Sequence, residues 1–228
     1  VYKRQVHISV FGRRIGVLNK PFIKIKSGDI ELESRLDLPP GDNRSPCVVF
    51  CHPDPRHGGS MDNNILEKVN ESLLKNGIAT LRFNFRGVGN STGEFTRGKL
   101  EGPAIISIVE FLSTHTLLDG SRIGIFGYSF GAWMALEATL ATTKIKSVVS
   151  VACPQRWYSS FGTVEMVQPK LLISGDRDHD FPHGHFKFLS GRFTEPRQVE
   201  TITGADHFFH GYEDILGELT TKFFLGTI

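Results

Sequence analysis

Charge of one sign, long apolar runs and cysteine are all scarce in this chain. Its 228 residues carry 26 Lys and Arg against 24 Asp and Glu, a net charge of +2. Nucleic-acid binding rests on a basic excess or on basic clusters, so no nucleic-acid partner is expected. No apolar run approaches the roughly 18 residues that span a bilayer, so no membrane partner is expected either. No charged segment followed by an apolar one opens the chain. It begins with Val1 rather than Met, as a fragment or a processed chain would. Three cysteines are too few for a disulfide framework. Cys47 and Cys51 share one strand-like run, roughly 13 Å apart, which is too far for a bridge. Three buried free thiols suit a reducing compartment, and a cytoplasmic location is expected. Disorder is excluded by the composition, because 39% apolar residues can build a core.

The length suits one α/β domain over residues 1–228. Its expected core spans about 45–228, with N-terminal edge strands at about 6–38. In the second region Phe22, Ile23 and Ile25, then Ile30, Leu32 and Leu36, flank Ser27-Gly28-Asp29, the pattern of a hairpin. Short apolar runs then alternate with helical stretches. The runs are 47–51, 78–85, 122–126, 147–152, 170–174 and 198–203. Helical faces are expected at Ile65, Val69, Leu73 and Leu74, at Ile105, Ile108, Val109 and Leu112, and at Trp133, Leu136 and Leu140. Such alternation predicts a mostly parallel twisted sheet with helices on both faces and the antiparallel hairpin at one edge.

Gly127, Ser129 and Gly131 form G-x-S-x-G between an apolar strand and a helical pattern. A strand that turns directly into a helix exposes its corner hydroxyl, and the helix N-terminus faces it. The plain alternative is a tight turn with a solvated Ser. A Ser hydroxyl needs a base and an orienting carboxylate, which follow in this fold at later strand ends in the order acid, then His. The run 170–174 ends in G-D-R-D-H-D-F-P and the run 198–203 in G-A-D-H-F-F. Asp178 is the expected acid, with Asp176 and Asp180 as rivals, and His207 is the expected base. Tetrahedral intermediates also need N–H donors. Phe130 follows the nucleophile, and Asp54 holds the one amide between Pro53 and Pro55, which have none.

These residues resemble the α/β-hydrolase superfamily. Within it the chain is similar to small lidless bacterial serine hydrolases with H-P-H-P-x-x-G-G-x-M-D-N, F-N-F-R-G-V-G-x-S, G-Y-S-F-G and G-A-D-H-F-F motifs. Here they are residues 52–63, 83–91, 127–131 and 204–209. The resemblance covers roughly residues 45–212 and implies Ser129 as nucleophile, His207 as base and Asp178 as acid. Asp54 stands where the family has its second His. Its carboxylate is expected to turn to solvent or pair with Arg56, since aiming it at the oxyanion would oppose the charge developing there.

Gly87-Val88-Gly89 fails G-x-G-x-x-G at Thr92, and no G-x-x-x-x-G-K-[ST] exists, so neither nucleotide motif is present. The loop is expected to be structural, with Arg86 paired to a carboxylate. His179, His183 and His185 are read as solvated rather than metal-binding, since Pro182 interrupts any shared helix. No metal or cofactor is expected. Residues 154–169 are too few for a multi-helix lid. Trp157, Tyr158 and Phe161 there, with Phe95 and Phe208, are offered as an apolar acyl wall or as ordinary loop packing. His52, Arg56, Tyr128, Trp157, Tyr158 and Phe208 are the expected substrate-contacting residues. The expected activity is a serine esterase for short- to medium-chain carboxylic esters, working as a monomer or homodimer. A thioesterase or dienelactone-type lactone hydrolase is the alternative, and a non-catalytic binding protein of the same fold is a third.

Overall fold

A computed structural model describes residues 22–41, 43–159 and 161–228. The edge-strand region before residue 22 lies outside the described residues. Eight strands form one sheet in the order β1-β2-β4-β3-β5-β6-β7-β8. They are β1 (Ile23–Ser27), β2 (Ile30–Asp37), β3 (Ser45–Cys51), β4 (Ala79–Phe83), β5 (Leu118–Tyr128), β6 (Ile145–Val151), β7 (Lys170–Gly175) and β8 (Arg197–Ile202). The β1–β2 hairpin is antiparallel and sits at one edge, β2 joins β4 antiparallel, and every later pairing is parallel.

Among the described residues six α-helices accompany the strands: α1 (Asn64–Lys75), α2 (Glu101–Ser113), α3 (Phe130–Ala141), α4 (Gln155–Tyr158), α5 (His183–Ser190) and α6 (Glu213–Leu225). The central strands are apolar on both faces because both are covered. On β3, Cys47, Val49 and Cys51 enter one core, with α2 and α3, while Val48 and Phe50 enter the other, with α1 and α6. That alternation is the period of two along a strand. Burying each such Val or Phe contributes about 1.5–3 kcal/mol. The thiols of Cys47, Cys51 and Cys153 are free and buried.

Helix α1 starts where the Asn63 side chain accepts from the Ile65 N–H at 3.0 Å, and it buries Ile65, Val69 and Leu73 as expected. Helix α2 buries Ile105, Ile108, Val109 and Leu112. Helix α3 keeps only part of its expected face, with Leu136 fully buried and Trp133 half-buried. Leu140 is exposed, and Ala132, Ala135 and Ala138 are buried instead, because small residues let this helix approach the sheet closely. Among the described residues the chain makes only the single-turn α4 between β6 and β7, and none of them forms a lid over the sheet's C-terminal edge. Among the described residues no helix is long and apolar enough to cross a membrane.

Candidate active site

Strand β5 runs into α3 with one residue between them. Ser129 fills that corner at φ 56°, ψ −116°. A non-Gly residue keeps this left-handed conformation only where its surroundings over-determine it. Here its N–H donates to Val151 O on β6 at 2.9 Å. A Cβ on Gly127 would lie 2.1 Å from Gly131 O, and one on Gly131 would lie 2.0 Å from Cys51 O. Strand, helix and β3 therefore meet at separations only glycine allows, which is the physical content of the G-x-S-x-G spacing. Phe130 opens α3, so its N–H has no intrahelical carbonyl and sits at the positive end of the helix dipole.

Two later strand ends complete the arrangement. Ser129 Oγ lies 3.1 Å from His207 Nε2, and His207 Nδ1 lies 2.9 Å from Asp178 Oδ2. The three rival aspartates separate by what they hold. Asp176 Oδ1 accepts from the Gly204 N–H at 2.7 Å and ties the β7 loop to the β8 loop. Asp178 is buried against the imidazole. Asp180 is more than half exposed, and its Oδ2 lies 3.9 Å from Nε2. Asp206 Oδ1 accepts from the Phe208 and Phe209 amides at 2.9 and 3.2 Å. The Tyr128 hydroxyl donates to the His207 carbonyl at 2.8 Å. The ring is thus held from both its side chain and its backbone.

Burial alone would depress the basicity of His207. The Asp178 hydrogen bond and charge, with the charges of Asp180 and Asp206, outweigh it and raise the pKa above the ordinary value. A base must be neutral to take a proton, so activity is lost as pH falls through that raised value. The acid limb of kcat/KM should therefore have its midpoint above the free-imidazole value of about 6.5. A rate profile whose midpoint falls below pH 6 would contradict this arrangement.

The loop after β3 carries Asp54, whose amide is the second expected oxyanion donor. Asp54 caps a one-turn 3-10 helix, Pro55–His57, by accepting from the Arg56 N–H at 2.9 Å. Its carboxylate also takes the Arg56 guanidinium at 2.5 and 3.0 Å, the pairing expected for a side chain turned from the oxyanion. Burial raises its pKa, but the Arg56 bonds and charge prevail and keep the carboxyl below its usual range. Asn keeps the cap, and the backbone N–H is untouched. Asp54→Asn should therefore change kcat/KM by less than about tenfold, measured on one ester at fixed pH. A hundredfold loss would show the carboxylate taking part directly.

Several expected substrate contacts are corrected. His52 is fully buried, with Nδ1 on Pro53 O at 2.6 Å and Nε2 accepting from the Phe85 N–H at 3.0 Å. Burial pushes its pKa down to about 4, so it is a neutral brace for the oxyanion loop. Tyr158 is also removed from the substrate surface, since it is buried among Phe161, Phe181, Phe186 and Phe193. Tyr128 is buried and supports His207 rather than lining the surface. Arg56 is engaged by Asp54, and Trp157 stacks on Trp133 at 5.1 Å and packs on Phe130. Phe208 is exposed beside the His207 ring.

The F-N-F-R-G-V-G-x-S motif proves to be scaffold. Asn84 Oδ1 accepts from the Met61 N–H at 2.9 Å, and Asn84 and Asn90 both donate to buried Glu33. Arg86 donates to the Glu94 carbonyl at 2.6 Å, where a carboxylate partner was expected. The sequence reading missed Glu33 and the Tyr128 hydroxyl, whose partners lie far along the chain. Among the described residues no group of three or more His, Cys, Asp or Glu is placed to hold a metal ion.

The chain matches the X-Pro dipeptidyl-peptidase (S15) family over residues 27–178. An α/β serine hydrolase homologue from Coxiella burnetii is 30% identical, with a TM-score of 0.79 over 91% of this chain and 99% of that one. A serine hydrolase without a lid from Xanthomonas campestris is 25% identical, with a TM-score of 0.76 over 91% and 95% of the two chains. An uncharacterized protein of Rickettsia prowazekii is 28% identical over 173 residues, 72% of each chain. With that span matched and the Coxiella neighbour covered almost end to end, the chain belongs to the X-Pro dipeptidyl-peptidase (S15) family within the α/β-hydrolase superfamily.

Proposed function

We propose that the protein is a serine esterase that cleaves short- to medium-chain carboxylic esters through an acyl-enzyme on Ser129. The observation that carries this reading is the hydrogen-bonded chain from Ser129 Oγ through His207 to Asp178 at a strained strand–helix corner. Oγ attacks the ester carbonyl while Nε2 takes its proton. The Phe130 and Asp54 amides stabilise the oxyanion. Collapse breaks the bond to the alkoxide oxygen, which takes the Ser129 proton from Nε2 and leaves as the alcohol. Water then repeats the cycle and frees the acid and Ser129. Asp178 keeps the proton of the resting imidazole on Nδ1, so that Nε2 can accept.

The absence of a lid over the described C-terminal edge favours small substrates, and Phe95 and Phe208 offer apolar contact for a modest acyl group. No cofactor enters the scheme. The three buried free thiols support a cytoplasmic setting, and the protein is proposed to act as a monomer or homodimer without nucleic-acid or membrane partners.

The S15 match supports a second reading, release of an X-Pro dipeptide by hydrolysis of the peptide bond that follows Pro, with the same groups. The matched span stops at Asp178, before His207. A series of p-nitrophenyl esters from acetyl to decanoyl, run beside acyl-thioesters, lactones and an X-Pro p-nitroanilide, separates the readings. The highest kcat/KM is expected on a short or medium ester. A higher value on the anilide would replace the esterase reading with the peptidase one, and a higher value on a thioester or lactone would move it to that class.

A further inference from the structure

Asp180 sits at the reacting edge of the imidazole, and none of the steps above uses it. Its backbone is fixed on both sides. The N–H donates to Asp178 Oδ1 at 2.8 Å, the carbonyl accepts from the Gln155 N–H at 3.3 Å, and the next residue, Phe181, is fully buried. The carboxylate nevertheless stands 57% exposed, with Oδ2 3.9 Å from His207 Nε2. It faces Nε2, not Nδ1, so it cannot be the orienting acid. Among the described residues no Lys or Arg pairs with it. Phe208 also borders the ring, 59% exposed and edge-on to His207 at 5.7 Å.

The leaving oxygen must come within about 2.6–3.2 Å of Nε2 to collect its proton. Added to the 3.9 Å between that nitrogen and Asp180 Oδ2, this keeps the departing oxygen within about 7 Å of the carboxylate. A cationic group two or three bonds further along the alcohol can then reach ion-pairing distance. An exposed aromatic face nearby attracts the same group. An anionic group in that place is repelled.

We propose that Asp180 makes the site prefer esters whose departing alcohol carries a positive charge two or three bonds from the ester oxygen. The proposal rests on the serine-hydrolase reading of Ser129 and His207. It concerns the alcohol side of the substrate and leaves the acyl preference to the loop residues.

The test compares a choline ester with the 3,3-dimethylbutyl ester of the same acid, which has the same shape without the charge. At low ionic strength the wild type should favour the choline ester by about two- to fivefold in kcat/KM, the size of an exposed ion pair. The ratio should fall toward one as salt screens the carboxylate. Asp180→Asn should bring the ratio to about one at every salt concentration, and Asp180→Glu should restore part of it. A readout independent of turnover accompanies the rates. Free choline should shift the His207 ring NMR signals at lower concentration than 3,3-dimethylbutanol does, and Asp180→Asn should erase that difference. A wild-type ratio of one in both measurements, or a ratio that Asp180→Asn leaves unchanged, overturns the proposal. A choline preference in binding with neither ester hydrolysed upholds the Asp180 assignment and contradicts the esterase reading.

Discussion

Ser129→Ala should leave a folded protein whose ester hydrolysis falls by roughly 10⁵- to 10⁶-fold, the loss seen when an acyl-transfer nucleophile is removed. The substitution deletes one oxygen and nothing that holds the corner. The Ser129 N–H bond to Val151 O is a backbone bond, and the glycine approaches at 127 and 131 do not involve the side chain. Thermal midpoint and circular dichroism should therefore match the wild type. Residual catalysis would come from the oxyanion amides and substrate binding alone. Turnover within tenfold of wild type, in a preparation free of other esterases, would show that the attacking oxygen lies elsewhere.

Asp178→Asn is expected to cut kcat by about 10³- to 10⁴-fold while preserving the fold. Asp178 Oδ2 accepts from Nδ1 at 2.9 Å, and its Oδ1 accepts from the Asp180 N–H at 2.8 Å. Asn can keep the second bond through its carbonyl oxygen. That choice turns its NH₂ toward Nδ1, which must then accept rather than donate. The proton moves to Nε2, and the base can no longer take one from Ser129. The same change removes the largest of the influences that raise the pKa of His207, so whatever activity remains should have its acid limb at lower pH. Asp176→Asn is the control. Its role is to accept the Gly204 N–H, which an Asn oxygen can still do, so the loss should be small. A larger loss at Asp176 than at Asp178 would reverse the assignment.

The main architecture was readable because its signals are local. Strand–helix alternation, the hairpin around Ser27-Gly28-Asp29 and the corner at Ser129 each depend on residues close in sequence. The order Ser129, Asp178, His207 was readable because parallel strands deliver their C-terminal ends to one edge of the sheet. The pairing of Asp54 with Arg56 was likewise a two-residue relation. What stayed hidden depends on distant partners. The sequence places His52 at a strand end beside the oxyanion loop, as suitable for a substrate as for a brace. Only the Phe85 N–H, 33 residues away, decides between them. Tyr158 looked available in a short loop until Phe181, Phe186 and Phe193 closed around it. The face of α3 was legible only at Leu136, because the rest of its packing relies largely on alanines, which carry little hydrophobic signal. Asp180 was visible only as a rival acid. Its place beside Nε2 depends on how the chain turns after β7.

The most direct measurement of the central claim is intact-protein mass spectrometry after treatment with a fluorophosphonate, followed by peptide mapping. One phosphonyl adduct is expected, with loss of fluoride, on the peptide carrying Gly127 to Gly131 and on Ser129 within it. Labelling should track the same acid limb as hydrolysis, because both need a neutral His207, and it should vanish in Ser129→Ala. An adduct on another residue, or rapid labelling that persists in Ser129→Ala, would contradict the account.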